Sequence, residues 1–194
     1  VINKFEIGYS LSKKNHFTKH ATDEGYKLKY LQSSGMTIVN DSNTIDRFRG
    51  RIIFPVKSIS GRTIAFGGRI LGNKKNIAKY INSPESLIYK KSKVLYGIYE
   101  SKQSIAKENV CLLVEGYTDV VKLFQKDITN VVSSSGTAMT ESQIRLISRL
   151  TKNITVIFDG DSAGSRAALR GIDIILEQGM NVKICTLPHG EDPD

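Results

Sequence analysis

Six carboxylates in the second half of the chain have the types and spacing for chemistry at phosphate. Glu115 closes an apolar run, Val110-Cys111-Leu112-Leu113-Val114, and Asp119 follows four residues later. Asp159 and Asp161 close a second run, Ile154 to Phe158, as Asp-Gly-Asp. Asp192 and Asp194 follow a third, Val182 to Leu187. Carboxylates gathered on one rim repel each other, and a cation bound among them relieves the repulsion. Oxygen-only donors select a hard ion, Mg²⁺ or Mn²⁺, and the number of acids suits two or more. One such ion lowers the pKa of an attacking hydroxyl and a second stabilises the leaving oxygen. Spacing alone does not separate a polymerase from a nuclease or a topoisomerase. Nor does it separate these from a binding module whose acids only cap loops. Asp192 and Asp194 read equally well as a polar terminal loop.

The elements that must carry these acids are regular from Asn109 onward. A strand is expected over 110–114, a helix over 118–126 and a strand over 130–132. Thr140, with Gln143 three residues later, has the capping-box spacing for a helix reaching Leu150. A strand at 154–158, a helix over 163–178 stopped by Gly179, and a strand at 182–187 complete the series. Strands alternating with helices at this spacing define a parallel α/β unit. Ligands of an open parallel sheet bind beyond the C-terminal strand ends, where all six acids fall within a turn. Ser135-Gly136-Thr137, also at a strand end, could offer backbone N–H groups to a phosphate or be a plain turn.

The first half carries the opposite charge. Residues 1–104 hold 19 Lys and Arg against 7 Asp and Glu, whereas residues 105–194 hold 9 against 12. This asymmetry fits a polyanion-binding half and a metal-binding half; simple solubility is the bland alternative. Arg47, Arg49 and Arg51 recur at period two and would share one face of an extended segment. Their planar forks match phosphate oxygens, although a charged edge strand would also use them. Gly67-Gly68 is expected to make room for a ligand beside Arg69. Residues 72–93 read as a basic loop in which Tyr80 and Tyr89 are interleaved with lysines including Lys79 and Lys91. That pattern suits single-stranded nucleic acid, whose bases stack while its phosphates meet cations. Elsewhere, residues 1–11 read as a short strand, 16–30 as a helix, 36–39 and 94–97 as strands, and 98–107 as a helix.

The chain has 194 residues, of which 40% are hydrophobic and 24% charged, with a net charge of +9. These values fit a soluble globular protein with one large domain or two small ones. No apolar run is long enough to span a membrane, and no signal-peptide pattern opens the chain. Both ends read as cut points in a longer protein. Cys111 and Cys185 lie in apolar runs and are expected to be buried thiols, not a disulfide, which suits a reducing, cytoplasmic setting. His16 and His20 have metal-pair spacing on a helix but no third ligand nearby, so they read as a surface pair.

Glu115-Gly-Tyr-Thr-Asp119 with the later Asp159-Gly-Asp161 resembles the Toprim domain. The flanking segments narrow this. RFRGRIIFPV at 47–56, AFGGRIL at 65–71, KYINSPES at 79–86, KVLYGIYE at 93–100, SSGTAMT at 134–140, DGDSAG at 159–164 and LPHGEDPD at 187–194 together resemble bacterial DNA primase. They follow that family's order and approximate spacing. The resemblance implies an α/β fold: a Toprim-type parallel-sheet domain at 109–194, preceded by a mixed α+β basic subdomain at 1–108. It implies DNA-directed synthesis of short RNA primers from ribonucleoside triphosphates on single-stranded DNA. It further implies metal positions at Glu115, Asp119, Asp159, Asp161, Asp192 and Asp194, with Glu115, Asp159 and Asp161 catalytic. Arg47, Arg49, Arg69, Lys79, Asn82 and Lys91 match the template- or nucleotide-binding positions. The family's zinc module and its region that binds the replicative helicase have no counterpart in this sequence.

Overall fold

The computed structural model describes residues 1–41, 43–72, 77–136, 138–158 and 171–188. The chain divides into two compact units. One comprises residues 2–56 and 63–89, and the other Val1, residues 57–62 and residues 90–194.

The first unit contains α1 (Ile2–Phe5), β1 (Gly8–Ser10), α2 (His16–Asp23), α3 (Leu28–Ser33), β2 (Thr37–Asn40) and β3 (Asn43–Asp46). Most of β4 (Arg51–Lys57), with β5 (Thr63–Ile70) and β6 (Tyr80–Asn82), completes it. Its main sheet runs β1-β4-β5-β6, with Tyr9 opposite Ile52 and Arg69 opposite Tyr80 in antiparallel pairs. Phe48, Phe54, Val56, Ala65 and Ile70 are buried in this unit. Residues 1–11 form a helical turn and then a strand, not the single strand expected. The helix expected over 16–30 is interrupted at Gly25, whose φ of +90° is open to glycine and strained for other residues. Asn15 makes no side-chain cap for α2. Asp46, at the end of β3, does so from a distance. Its carboxylate accepts from the Phe17 N–H (2.7 Å), the Thr18 N–H (2.9 Å) and the Thr18 hydroxyl (2.6 Å). The orphan donors of the first helical turn are thereby satisfied by a residue 28 or 29 positions away.

The second unit contains α4 (Ile98–Glu108), β7 (Cys111–Val114), α5 (Tyr117–Gln125), β8 (Val131–Ser133), α6 (Glu141–Ser148), β9 (Asn153–Phe158), α7 (described over 171–177) and β10 (Asn181–Thr186). All its strand pairs are parallel, in the order β8-β7-β9-β10. Leu95, Ile98, Ile105, Cys111, Leu113, Val132 and Ile144 belong to one buried cluster that also takes in Ile154, Val156, Ile175 and Met180. The strand expected at 94–97 reduces to one antiparallel bridge between Tyr96 and Ser133. Residues 57–62 are tied into this unit by a buried Lys57–Glu100 ion pair at 3.3 Å and by Lys102 Nζ donating to the Ile59 carbonyl at 3.0 Å. Cys111 is buried as expected, but Cys185 is exposed, because β10 lies at the end of the described sheet and Lys183 to Thr186 are all open to solvent. Both thiols are free.

Candidate active site

Strand order decides where a parallel sheet binds. From β7 the chain passes through α5 to β8 on one side, then through α6 to β9 on the other side of β7. The crossovers therefore reverse direction between β7 and β9, and ligands of an open parallel sheet bind at such a reversal, beyond the C-terminal strand ends. Cys111 pairs with Ile154 and Leu113 with Val156, so the strands end side by side. Glu115 is the first residue past β7 and is exposed there. Asp159, the first residue past β9, lies outside the described residues, as do Asp161, Asp192, Asp194 and Thr137.

Asp119 sits in the first turn of α5 and is 7% exposed. Its Oδ2 accepts from the Gly116 N–H at 2.7 Å, so this carboxylate caps the helix that β7 feeds. The glycine before it is there for this cap and not for a turn. Gly116 has φ −114° and ψ 168°, an extended conformation any residue adopts. A Cβ at that position would lie 3.2 Å from Asp119 Oδ2 and would crowd the cap.

Glu115 and Asp119 are hard oxygen donors at the expected rim, and their chemistry fits a divalent ion of the Mg²⁺ type. Among the described residues, no group of three potential ligands gathers, so these two alone do not make a complete site. His16 and His20 are both exposed and belong to no such group either.

The basic residues of the first unit are arranged by a turn. Residues 47–50 form that turn between β3 and β4, so the three arginines do not share an extended face. Arg47 is half-buried and donates from Nε to the Gly35 carbonyl at 2.6 Å, Arg49 is exposed, and Arg51 opens β4 at 6% exposure. The turn nevertheless brings all three to the wall of one cavity of about 240 Å³, lined also by Ser12, Ile70 and Ile77. Burial, and then Arg49, hold the Arg51 guanidinium below its ordinary pKa. Arg51 Nη1 donates to the carbonyls of Gly68 (3.3 Å), Ala78 (3.0 Å) and Lys79 (3.2 Å).

Gly68 does not open space for a ligand beside Arg69. A Cβ there would lie 2.7 Å from Phe48 Cδ1 and 3.1 Å from Arg51 Cδ, so the glycine makes room for the unit's own side chains. Arg69 and Lys79 both lie over the Tyr80 ring, at 5.8 and 5.9 Å from its centroid. The buried Arg69 Nε has no hydrogen-bond partner among the described residues. Asn82 is half-buried at the end of β6, and beyond it Ser83 exchanges hydrogen bonds with Phe66 while Pro84 packs on Gly35.

Lys91 belongs to the second unit, in a 3-10 turn over Lys91–Lys93. Gln143 holds that turn. The expected capping box forms, with the Gln143 N–H donating to Thr140 Oγ1 at 3.3 Å and the Thr140 N–H donating to Gln143 Oε1 at 3.1 Å. The same amide donates through Nε2 to the Lys91 (3.2 Å) and Val94 (2.9 Å) carbonyls. Sequence pattern signals the box but not the tether. It also hides Arg51 as a clamp, because a buried arginine and a solvated one look alike in a basic run.

A parallel sheet whose strand β7 ends on Glu115 and feeds a helix capped by Asp119 has the layout of a Toprim domain. Residues 112–194 match the Toprim-like family, and residues 1–102 match the family described as the DNA primase catalytic core, N-terminal domain. The chain belongs to the bacterial DNA primase family. It is 40% identical over its whole length to the DNA primase of Halalkalibacterium halodurans, of which it spans 32%. The solved DnaG primase catalytic domain bound to ssDNA is 41% identical and superposes at a TM-score of 0.90 over 100% of this chain and 63% of that one. The Aquifex aeolicus primase, solved with its zinc-binding and RNA polymerase domains, gives 37% and 0.91 over 99% of this chain and 47% of that one. The chain thus spans about a third of the length of the curated relatives it matches.

Proposed function

We propose that this chain is the central part of a primase polymerase core that makes short RNA primers on single-stranded DNA. The observation that carries this reading is Glu115 at the tip of β7, beside the switch point of the parallel sheet, in a chain of the primase family. The primer 3′-hydroxyl attacks the α-phosphate of an incoming ribonucleoside triphosphate, a new phosphodiester forms, and pyrophosphate leaves. The enzyme is on this reading a DNA-directed RNA polymerase, a nucleotidyltransferase.

The labour is divided along the sequence. Residues 109–194 supply the acids, and residues 1–108 supply most of the cations. Glu115, Asp119, Asp159, Asp161, Asp192 and Asp194 would hold Mg²⁺ or Mn²⁺, with Glu115, Asp159 and Asp161 closest to the chemistry. Bound there, divalent ions would lower the barrier by charge neutralisation at the reacting phosphate. Arg47, Arg49, Arg69, Lys79, Asn82 and Lys91 would hold template phosphates and the triphosphate, and Tyr80 adds a face on which a base can stack. The relative solved with ssDNA supports a single-stranded template as partner. A cytoplasmic setting at the replication fork, a zinc module before this segment and a helicase-binding region after it complete the proposal. No helix among the described residues is long and apolar enough to cross a membrane.

The test uses the full-length enzyme with Mg²⁺, a single-stranded template and ribonucleotides. Glu115→Gln and Asp159→Asn should each abolish primer synthesis while leaving affinity for the template within about twofold, as expected when only transition-state interactions are lost. Wild-type synthesis by either variant would refute the assignment, and template cleavage in place of RNA synthesis would move the enzyme to the Toprim nucleases.

A further inference from the structure

We propose that Arg51 is a positioning residue, whose buried guanidinium fixes the backbone at Ala78 and Lys79 and so sets where Lys79, Tyr80 and Arg69 meet the nucleotide. The inference rests on the reading above, that Lys79 and Arg69 grip nucleotide or template.

A buried cation is expensive to desolvate and is ordinarily matched by a carboxylate. Arg51, at 6% exposure, has none among the described residues, and its partners are three main-chain carbonyls. Those carbonyls belong to the segments that carry the candidate gripping residues. Gly68 directly precedes Arg69, and Ala78 and Lys79 directly precede Tyr80. The Lys79 carbonyl also accepts from the Ile70 N–H at 3.0 Å, just past the Arg69–Tyr80 pair. One guanidinium therefore pins both strands where the β5–β6 ladder opens. Gly68 belongs to the same device, since a side chain there would clash with Phe48 and crowd the Arg51 stem. An apolar residue of similar volume would fill the space, but it would leave these carbonyls without that donor and Lys79 without a fixed base. Because Arg69 and Lys79 approach the same Tyr80 ring, a shift of the 78–79 backbone would move two cations and one stacking face together.

Primer synthesis by the full-length enzyme, with ribonucleotide varied at saturating template, decides the matter in Arg51→Gln, Lys79→Ala and the double variant. Arg51→Gln should raise the ribonucleotide KM about tenfold and leave kcat within about threefold, the signature of lost positioning in a binding element. In the Lys79→Ala background the same change should add less than about twofold, because residues acting as a unit are not additive. Arg51→Lys keeps a buried charge and some of the carbonyl contacts, so it should recover part of the loss; it carries the same tests if Arg51→Gln fails to fold. Amide exchange at Ile70 should quicken in each Arg51 variant. A fall in kcat at unchanged KM, or multiplicative effects of Arg51→Gln and Lys79→Ala, would overturn the proposal. A Lys79→Ala enzyme with unaltered KM would overturn the parent reading as well.

Discussion

Asp119 has one structural job and one proposed job that substitution can separate. One oxygen already accepts from the Gly116 N–H, which is a structural role, whereas metal binding would need its charge. Asp119→Asn keeps an acceptor for the cap and should cost under about 1 kcal/mol of stability; Asp119→Ala loses the cap and should cost about 1–2 kcal/mol. Both should weaken Mn²⁺ binding, read by electron paramagnetic resonance, whatever their effect on urea midpoints. The cysteines differ in the same checkable way. Burial raises the Cys111 thiol far above its ordinary pKa, and Cys185 is exposed. Alkylation of the native protein, followed residue by residue with mass spectrometry, should modify Cys185 and spare Cys111 until the fold is opened. Two buried phenols add a pH dependence. Burial, and then Glu85, push Tyr89 up to about 12, and burial, with Glu100 and Tyr117 behind it, raises Tyr96 further. Below the ordinary tyrosine value near pH 10 both phenols are protonated, folded or unfolded, and their contribution is intact. Above it the unfolded chain releases protons first, so stability should fall steadily through about pH 10 to 12, seen as declining urea midpoints.

Two elements, the 3-10 turn of Lys91 and α2, are each fixed by a side chain from elsewhere. Gln143, fully buried in α6, holds the 3-10 turn of Lys91 by two carbonyls while serving its own helix N-terminus. Gln143→Leu removes both functions and leaves buried carbonyls without that donor, a loss of about 2–4 kcal/mol in denaturant unfolding. Accelerated amide exchange should appear around residues 93 and 94, whose N–H groups donate back within that turn. Asp46 does the parallel service for α2. Asp46→Ala should cost about 2–4 kcal/mol, because three buried or half-buried donors lose their acceptor at once. The helix existed as an expectation from the sequence, but its cap did not: the nearby Asn15 has the right chemistry and the wrong geometry, and the working cap comes from a hairpin strand.

At the scale of the molecule, a net charge of +9 weighted toward the first 104 residues would make the proposed template binding an electrostatic event. Affinity for an oligodeoxynucleotide should fall log-linearly with salt. Lys79→Ala and Arg49→Ala should each flatten that slope by about 0.7, the value for one phosphate contact on a single strand. Glu115→Gln should leave the slope unchanged, since it removes charge from the acidic half. A fluorescence anisotropy titration at several salt concentrations measures all three.

The alternation of apolar runs with helical segments from 110 onward, three of the four runs followed by acids, was enough by itself to define a parallel α/β unit and to propose its acids. It works because strand periodicity, capping chemistry and the place of ligand sites in such sheets are local or generic rules. The capping box of Thr140 and Gln143 was legible for the same reason. The order β8-β7-β9-β10, which makes β7 and β9 neighbours and puts Glu115 at the switch point, was not, because strand order is set by packing across long sequence separations. The same limit hid the turn that gathers Arg47, Arg49 and Arg51 around one cavity. It also hid the burial that makes Arg51 a clamp and the true reasons for Gly68 and Gly116. A residue's type states what it can bond; only the tertiary structure decides which partner is near and whether water is absent.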